Sequence, residues 1–284
     1  MKVGLVLEGG AMRGLFTAGV LDVMLENNIE VDAIVGVSAG ALFGPNYFSR
    51  QRGRVLRYMS KYIKDKRYIS YRNLVFTGNI VSKNFAYYKV QEELDRFDNE
   101  EFKKNNKEFL AVATNVNTGK SEYLEIKDAF KDMEKLRASS SVPLVSKMVE
   151  VEGKYYLDGA ISNSIPVDRF IDEGFDKIIV VLTRPIDYKK EPLSNKKIRM
   201  INFRYRKYPK LVESMKKRYK VYNDTLERIK QLEEKGKVFV IRPKENINIK
   251  IVERDTSKLK EAYDLGVNET EKVLGDLKNY LKKC

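Results

Sequence analysis

Two short apolar runs, each followed by a turn of small residues and a helix-like stretch, constrain the fold of this chain most strongly. Val3 to Leu7 leads into a glycine-rich turn at residues 9–14, and Ala33 to Val37 leads into Ser38. Fully apolar runs of this length indicate buried strands, and strands alternating with helices favour a parallel sheet. We therefore predict an α/β fold with both turns at one sheet edge, where open α/β sheets place their ligand crevice.

Length and composition fit one large domain. The chain has 284 residues, of which 43% are hydrophobic and 33% charged, and it contains no apolar run of the roughly 20 residues that span a bilayer. The apolar run after Met1 ends at Glu8, too early for a signal peptide, and the one cysteine, Cys284, excludes an intramolecular disulfide. Since the chain has no histidine, it lacks the usual zinc ligands. We expect a cytoplasmic protein that needs no metal or other cofactor.

The formal charge of +14 attracts nucleic acid, anionic lipid surfaces and acidic ligands alike. Two basic segments, residues 50–72 and 211–232, have apolar positions at helical spacing. Each is predicted to be a helix docked on the sheet with a solvated charged face, and peripheral contact with an anionic membrane surface stays an open alternative. No specific nucleic-acid partner is expected, because no nucleic-acid-binding fingerprint is present. The sequence leaves the oligomeric state undetermined.

Six further strands are predicted from apolar or alternating runs bounded by turn residues. They are residues 109–114, 121–126, 149–151, 155–157, 178–182 and 237–241. The second of these follows the first through Asn117-Thr118-Gly119, and the fourth follows the third through Glu152-Gly153-Lys154, so both pairs are predicted to be hairpins. Charged stretches at residues 186–210 and 243–260 are predicted to be surface excursions.

Ser38 lies in Gly36-Val37-Ser38-Ala39-Gly40, which matches the G-x-S-x-G pattern of a nucleophile elbow between a strand and a helix. Because the chain has no histidine, every Ser-His-Asp mechanism is excluded. Asp, Glu, Lys and Tyr remain as bases, and an aspartate beside Ser38 is the simplest. Asp158 is the best candidate, since it ends a predicted strand and Gly159 after it lets another backbone approach closely.

The glycine turn at residues 9–14 has two interpretations. It could hold a phosphate at the N-terminus of the following helix, or its backbone amides could form an oxyanion hole. Ala11 stands where a dinucleotide fingerprint would have its second glycine, which favours the oxyanion hole. The turn residues given this role are Gly9, Gly10, Ala11, Arg13 and Gly14. A cation at the start of a helix is unfavourable, so Arg13 indicates either an anionic neighbour or a salt bridge to a local carboxylate such as Glu8.

Three motifs in order along the chain resemble the patatin-like phospholipase family. They are the glycine turn at residues 9–14, the elbow at residues 36–40 and Asp158-Gly159-Ala160. Supporting matches lie at residues 113–119, 138–143 and 163–167. The resemblance spans roughly residues 3–185, and residues 242–266 look like the C-terminal extension of a bacterial subgroup.

This resemblance implies a three-layer α/β/α sandwich with a mostly parallel central sheet. Residues 1–185 would form the catalytic core, and residues 186–284 an extension that completes or flanks the same domain. The implied activity is that of a metal-independent serine lipid acyl hydrolase, similar to a phospholipase A or lysophospholipase, acting on a lipid or acyl-ester substrate. The roles carried over by position are Ser38 as nucleophile, Asp158 as base, residues 9–14 as oxyanion hole, Gly36 and Gly40 as elbow glycines, and Gly159 and Ala160 as the turn after the base.

The sequence departs from the family pattern at two positions. Ala11 replaces a glycine that is frequent in the glycine turn, and Ala160 replaces the more usual second glycine after the aspartate. Neither change removes a required side chain. Three other functions stay open: a small acyl-ester or thioester hydrolase, a catalytically degenerate interaction protein and, on charge alone, a nucleic-acid-binding module.

Overall fold

The computed structural model of the chain describes residues 1–282, so that Cys284 lies outside the described residues. Its centre is a sheet of eight strands whose bonded neighbours run in the order β5-β6-β3-β2-β1-β7-β8, while β4 also pairs with β3. The strands are β1 (Val3–Leu7), β2 (Ala33–Val37), β3 (Glu108–Asn115), β4 (Ser121–Glu125), β5 (Val149–Val151), β6 (Lys154–Asp158), β7 (Lys177–Val181) and β8 (Val238–Ile241). The pairings among β3, β2, β1, β7 and β8 are parallel, whereas those of β4, β5 and β6 are antiparallel. The mostly parallel sheet is thus confirmed, and each predicted strand end is correct to within one residue.

Helices cover both faces of this sheet. They are α1 (Gly14–Glu26), α2 (Ala39–Phe43), α3 (Pro45–Phe48), α4 (Arg54–Tyr62), α5 (Tyr71–Thr77), α6 (Asn99–Lys104), α7 (Met133–Ser139), α8 (Val167–Asp172), α9 (Asn195–Arg204), α10 (Pro209–Glu234) and α11 (Thr256–Lys282). Two short 3₁₀ segments, Ala11–Arg13 and Gly159–Ile161, and a π-helix, Lys83–Leu94, complete the regular structure. No helix within residues 1–282 combines the length and the apolar character needed to cross a membrane.

Strand β1 shows why the fold has three layers. Successive side chains of a strand point to opposite faces, and Leu5 and Leu7 belong to one buried cluster while Val6 belongs to another. The first cluster packs against α1 and α11 through residues such as Phe16 and Leu259, and the second against α8 and α10 through residues such as Phe170 and Tyr222. A strand that is apolar on both faces requires helices on both sides, and the α/β/α sandwich follows.

The last hundred residues contribute to the same sheet and the same core. Strand β8 pairs in parallel with β7, and α11 packs against α1 at a close crossing. A Cβ atom on Gly19 would lie 2.2 Å from the carbonyl oxygen of Tyr263, and one on Gly266 would lie 2.1 Å from that of Phe16. Residues 186–210 and 243–260, expected to be surface excursions, are mostly exposed or half-buried, in agreement with that expectation, although they contain α9 and the beginning of α11.

Both basic segments contain helices that dock through apolar positions. Residues 50–72 contain α4 and the first two residues of α5, and Val55, Met59 and Tyr62 of α4 are buried as predicted. Helix α10 buries Leu211, Met215, Tyr222 and Ile229, whereas Tyr219 of the predicted stripe is 36% exposed.

Candidate active site

Ser38 lies in a strained turn between β2 and α2. Its backbone has φ 53° and ψ −114°, a conformation that is rare for a residue with a side chain and that concentrates at functional sites. The two glycines of the motif make the turn sterically feasible. A Cβ atom on Gly40 would lie 2.6 Å from the carbonyl oxygen of Leu7, and one on Gly36 would lie 2.7 Å from the carbonyl oxygen of Gly40. The G-x-S-x-G spacing therefore allows α2 to pack closely on the ends of β1 and β2.

The sheet brings Asp158 to Ser38 through strand β3. Because β4 pairs with β3 over residues 110–114, β2 and β6 both lie along the other edge of β3. Strand β2 pairs up to Val112, and β6 takes over at Ala113, which is the partner of Asp158. The ends of β2 and β6 therefore meet, and the Ser38 hydroxyl donates a hydrogen bond of 2.8 Å to Oδ2 of Asp158.

The carboxyl group of Asp158 is fixed by its neighbours. Its Oδ1 accepts a 2.8 Å hydrogen bond from the amide of Ala160, and its own amide donates to the carbonyl oxygen of Ser141 at 2.9 Å. Gly159 is required here by close approach, since a Cβ atom at this position would lie 2.1 Å from the carbonyl oxygen of Val112. Position 160 does not require glycine, because Ala160 lies in a right-handed 3₁₀ segment and its backbone has no positive φ.

Burial raises the pKa of Asp158 above its ordinary value. The charge of Arg218 and the hydrogen bonds from the Ala160 amide and the Ser38 hydroxyl oppose this effect, because each favours the ionised form. The net increase makes this carboxylate a stronger base than a solvated aspartate, which is the property that a histidine-free serine hydrolase needs.

The glycine turn lies directly against Ser38. A Cβ atom on Gly9 would lie 3.2 Å from Cβ of Ser38, and one on Gly14 would lie 2.7 Å from Cβ of Ala39. Within residues 1–282 no acceptor takes the backbone amides of Gly10, Ala11 or Ala39. Unpaired amides are the donors that an oxyanion hole requires.

Ala11 and Ser38 share an unusual backbone conformation. Ala11 has φ 49°, in the left-handed region where glycine is favoured. This explains in physical terms why glycine suits the position, although alanine keeps the backbone amide. The glycine turn therefore carries backbone strain at Ala11.

The ion pair considered for Arg13 and Glu8 is absent from residues 1–282. Glu8 instead accepts hydrogen bonds from the amide and hydroxyl of Thr183 at 2.5 and 3.1 Å and from the Tyr222 hydroxyl at 2.7 Å. Burial and the charge of Arg184 lower the pKa of Arg13. The salt bridge between Arg13 and Glu8 is therefore wrong, and an anionic neighbour of Arg13 stays a prediction.

Ser139 and Ser141 lie in the supporting match at residues 138–143, and no sequence signal predicts their contacts. The hydroxyl of Ser139, which is fully buried, accepts a 3.0 Å hydrogen bond from the amide of Ser38. The carbonyl oxygen of Ser141 holds the amide of Asp158. The end of α7 therefore contacts the backbone of both Ser38 and Asp158 and fixes their separation.

An apolar cavity of about 230 Å³ opens beside Ser38. Its walls come mainly from α2, α4, α7 and the π-helix, and include Leu42, Met59, Ile80, Ala86, Met133 and Val145. Two buried cations, Arg54 and Arg137, also line it, and Arg137 pairs with Glu134. The guanidinium of Arg54 donates to Oδ1 of Asn46 at 3.0 Å and to Oε1 of Gln91 at 2.8 Å, and its Nε lies 3.2 Å from a carboxylate oxygen of Asp95. The cavity is therefore mostly apolar, and both of its arginines are paired.

Two family models match the chain. One, described as patatin-like phospholipase, matches residues 5–171, and the other, described as a domain of unknown function (DUF6363), matches residues 208–282. The first covers more than half of the chain and contains both Ser38 and Asp158.

Three curated proteins are similar over most of this chain. The uncharacterized protein YjjU of Escherichia coli (strain K12) is 28% identical over 65% of this chain and 52% of its own length. The probable lipid hydrolase 463L of Invertebrate iridescent virus 6 is 26% identical over 77% of this chain and 84% of its own. Lysophospholipase nte1 of Aspergillus niger is 26% identical over 66% of this chain and 12% of its own. The chain thus spans about half of YjjU and a small part of the fungal protein.

A solved structure, that of VipD from Legionella pneumophila, aligns with 97% of this chain and 67% of its own, at 14% identity and a TM-score of 0.46.

Proposed function

This chain belongs to the patatin-like phospholipase family, and from that membership we propose that it is a lipid acyl hydrolase acting through a covalent serine ester. The observation that carries the proposal is the 2.8 Å hydrogen bond from Ser38 to Asp158 at the mouth of an apolar cavity. A nucleophile, a base and an apolar cavity for an acyl chain then lie together. The relatives named as lipid hydrolase and lysophospholipase support the same substrate class.

In the proposed first step, Oγ of Ser38 attacks the ester carbonyl while Asp158 accepts the hydroxyl proton. The tetrahedral intermediate collapses, the ester C–O bond breaks, and the leaving alcohol takes the proton back from Asp158. Water then attacks the acyl-serine in the same way and releases the fatty acid. Raising the pKa of Asp158 by burial supports this role, because a base with a higher pKa accepts the serine proton more readily.

We assign the oxyanion hole to the amides of Gly10 and Ala11, with that of Ala39 completing it. All three are free of intramolecular acceptors within residues 1–282. Because the amide of Ser38 itself donates to Ser139, it is not part of this assignment. Donors already aimed at the developing charge stabilise the intermediate without reorganising.

We also infer that residues 186–282 complete the catalytic domain and do not form a separate one. The pairing of β8 with β7 and the crossing of α11 on α1 support this inference.

The decisive experiment removes each reacting group and measures hydrolysis of a lysophospholipid. We expect Ser38→Ala and Asp158→Asn each to lower kcat by about a thousandfold or more, and the double variant to lose little beyond either single one, as with other cooperating catalytic groups. Asp158→Asn should keep its fold, because asparagine still offers an oxygen to the Ala160 amide and removes a buried charge. Thermal unfolding checks this point, and Asp172→Asn, on the exposed face of α8, serves as the matched control.

Two further measurements separate the alternatives. Labelling of Ser38 by a fluorophosphonate probe would argue against a degenerate interaction protein, and acyl p-nitrophenyl esters of increasing length distinguish a lipid hydrolase from a short-ester hydrolase. Retention of most activity by a folded Ser38→Ala variant would refute the mechanism.

A further inference from the structure

Four cations meet beside the candidate active site. Arg13 lies in the glycine turn, Arg184 follows β7, Lys190 lies in the next loop, and Arg218 projects from α10, and each is partly exposed. We call these four residues the cationic cluster. Within residues 1–282, none of them has a carboxylate oxygen within 4.0 Å. Nε of Arg13, Arg184 and Arg218 is buried without any hydrogen-bond partner.

The members of the cationic cluster are close enough to affect one another. Burial, followed by the charge of Arg218, lowers the pKa of Lys190 to about 8, and Arg13 and Arg184 act in the same direction. The anion that opposes these effects is Glu8, but its oxygens are already bound by Thr183 and Tyr222. Cations held together with unpaired donors are unfavourable unless an anion binds between them. The cationic cluster therefore lacks an anion that balances its charge.

Aromatic rings hold two of these side chains in place. The guanidinium of Arg184 lies 4.2 Å from the ring centre of Tyr188, and Nζ of Lys190 lies 4.2 Å from that of Tyr222. Cation–π contacts of this kind orient a charged group without neutralising it. The cluster is thus preorganised, and its charge stays available to a ligand.

The cationic cluster reaches the reacting groups from one side. Arg13 belongs to the turn whose free amides lie beside Ser38, and the charge of Arg218 acts on Asp158. Helix α10, which carries Arg218, packs against the 3₁₀ segment that follows Asp158. The apolar cavity takes only Ala11 and Met12 from this turn and most of its lining from other elements, among them α2, α4 and α7. An ester at Ser38 would therefore have an apolar side and a cationic side.

We propose that the cationic cluster is a phosphate-binding site, and that the phosphate in the headgroup of an ester bound at Ser38 lies between Arg13, Arg184, Lys190 and Arg218. The planar guanidinium matches phosphate oxygens in pairs, and an ammonium adds a compact charge. This proposal rests on the proposed lipid hydrolase function for its substrate, but the phosphate site itself does not. Three of its four residues lie outside residues 5–171, which match the family model.

The test compares two esters with the same acyl chain, 1-oleoyl lysophosphatidylglycerol and 1-oleoylglycerol, in micelles of a neutral detergent. The quantity measured is the ratio of their kcat/KM values. We expect Lys190→Gln and Arg218→Gln each to lower this ratio by about tenfold, since a hydrogen bond to a charged group contributes about that much discrimination. Lys220→Gln, which removes the same charge from an exposed position of α10, should leave the ratio unchanged.

A second measurement tests whether the ligand of the cationic cluster is free phosphate. Thermal unfolding is measured with inorganic phosphate and with chloride at equal ionic strength, for the same proteins. If phosphate raises the Tm of the wild type but not of the two cluster variants, while the kcat/KM ratio is unchanged, the site binds phosphate as a free anion. If neither the ratio nor the phosphate effect differs between the cluster variants and Lys220→Gln, the proposal is wrong. Failure of the wild type to cleave either ester would contradict the proposed function. The thermal unfolding measurement with phosphate would then show by itself whether the cationic cluster binds phosphate.

Discussion

Two arginines on opposite sides of Ser38 and Asp158 differ in what surrounds them. Arg54, beside the apolar cavity, is 1% exposed, and its guanidinium is bound by Asn46, Gln91 and Asp95. Arg218, in the cationic cluster, has a buried Nε without a partner. A buried charge whose donors are all paired belongs to the framework, whereas one with unpaired donors is available to a ligand. The difference shows that burial of a cation alone does not reveal its role.

Burial and the cationic cluster act in opposite directions on Asp158. Burial raises its pKa, while the charge of Arg218 opposes that increase. The basicity of Asp158 is therefore a balance between burial by the fold and the charge of Arg218, and the contribution of Arg218 can be tested separately.

The largest expected loss of stability comes from removing Arg54, the arginine whose donors are paired. Arg54→Met should lower the free energy of unfolding by about 3 kcal/mol, because the carbonyl oxygen of Asp95 and the amide oxygens of Asn46 and Gln91 lose their hydrogen bonds to a buried cation. Arg218→Gln should change it by less than about 0.5 kcal/mol, since no partner loses a bond. Urea denaturation of both variants measures the comparison. Equal losses would mean that the two arginines are both structural.

Much of the fold could be predicted because local signals and packing agree. The apolar runs of β1 and β2 are buried on both faces, so periodicity alone identifies them as central strands. The absence of histidine leaves Asp, Glu, Lys and Tyr as base types, and Asp158 is distinguished among them by its place at a strand end before Gly159 and by the family resemblance. Helix α11 could not be predicted in this way, because its N-terminus lies in a charged stretch. Its buried positions are recognisable only once its packing against α1 is known.

The less predictable features depend on contacts between distant segments. The cationic cluster joins Arg13 to residues near 184, 190 and 218, and no spacing in the sequence relates them. The cavity likewise takes its walls from several helices. Ser139 lies within a run of three serines, and only the fold distinguishes the one that holds the amide of Ser38. Sequence could locate the reacting groups but not the regions that surround them.

A smaller effect concerns pH and sharpens the contrast between the two regions. Asp158 must be ionised to accept a proton, so activity should fall as the pH falls through its raised pKa. Because Arg218 lowers this pKa, Arg218→Gln should raise it further and move the acid limb of the kcat/KM profile to higher pH. The profile is measured with a neutral ester, so that headgroup binding does not contribute. Lys220→Gln provides the control, and an unmoved acid limb in Arg218→Gln would contradict the electrostatic link.

The smallest effect is expected at Ala11, which lines the cavity and lies two residues before Arg13 of the cluster. Its φ of 49° strains an alanine, whereas glycine adopts this conformation freely but is more flexible when unfolded. The strain is the larger of the two effects, so Ala11→Gly should raise the free energy of unfolding by about 0.5 kcal/mol.

Ala160, the other departure from the family pattern, is the matched control for Ala11. Its backbone is right-handed, so Ala160→Gly should relieve nothing and lower stability by about 0.5 to 1 kcal/mol. Chemical denaturation of the two variants should therefore give changes of opposite sign. Changes of the same sign would mean that backbone strain at Ala11 does not lower the free energy of unfolding. Replacing Ala11 by glycine would then act on stability in the same way as replacing Ala160.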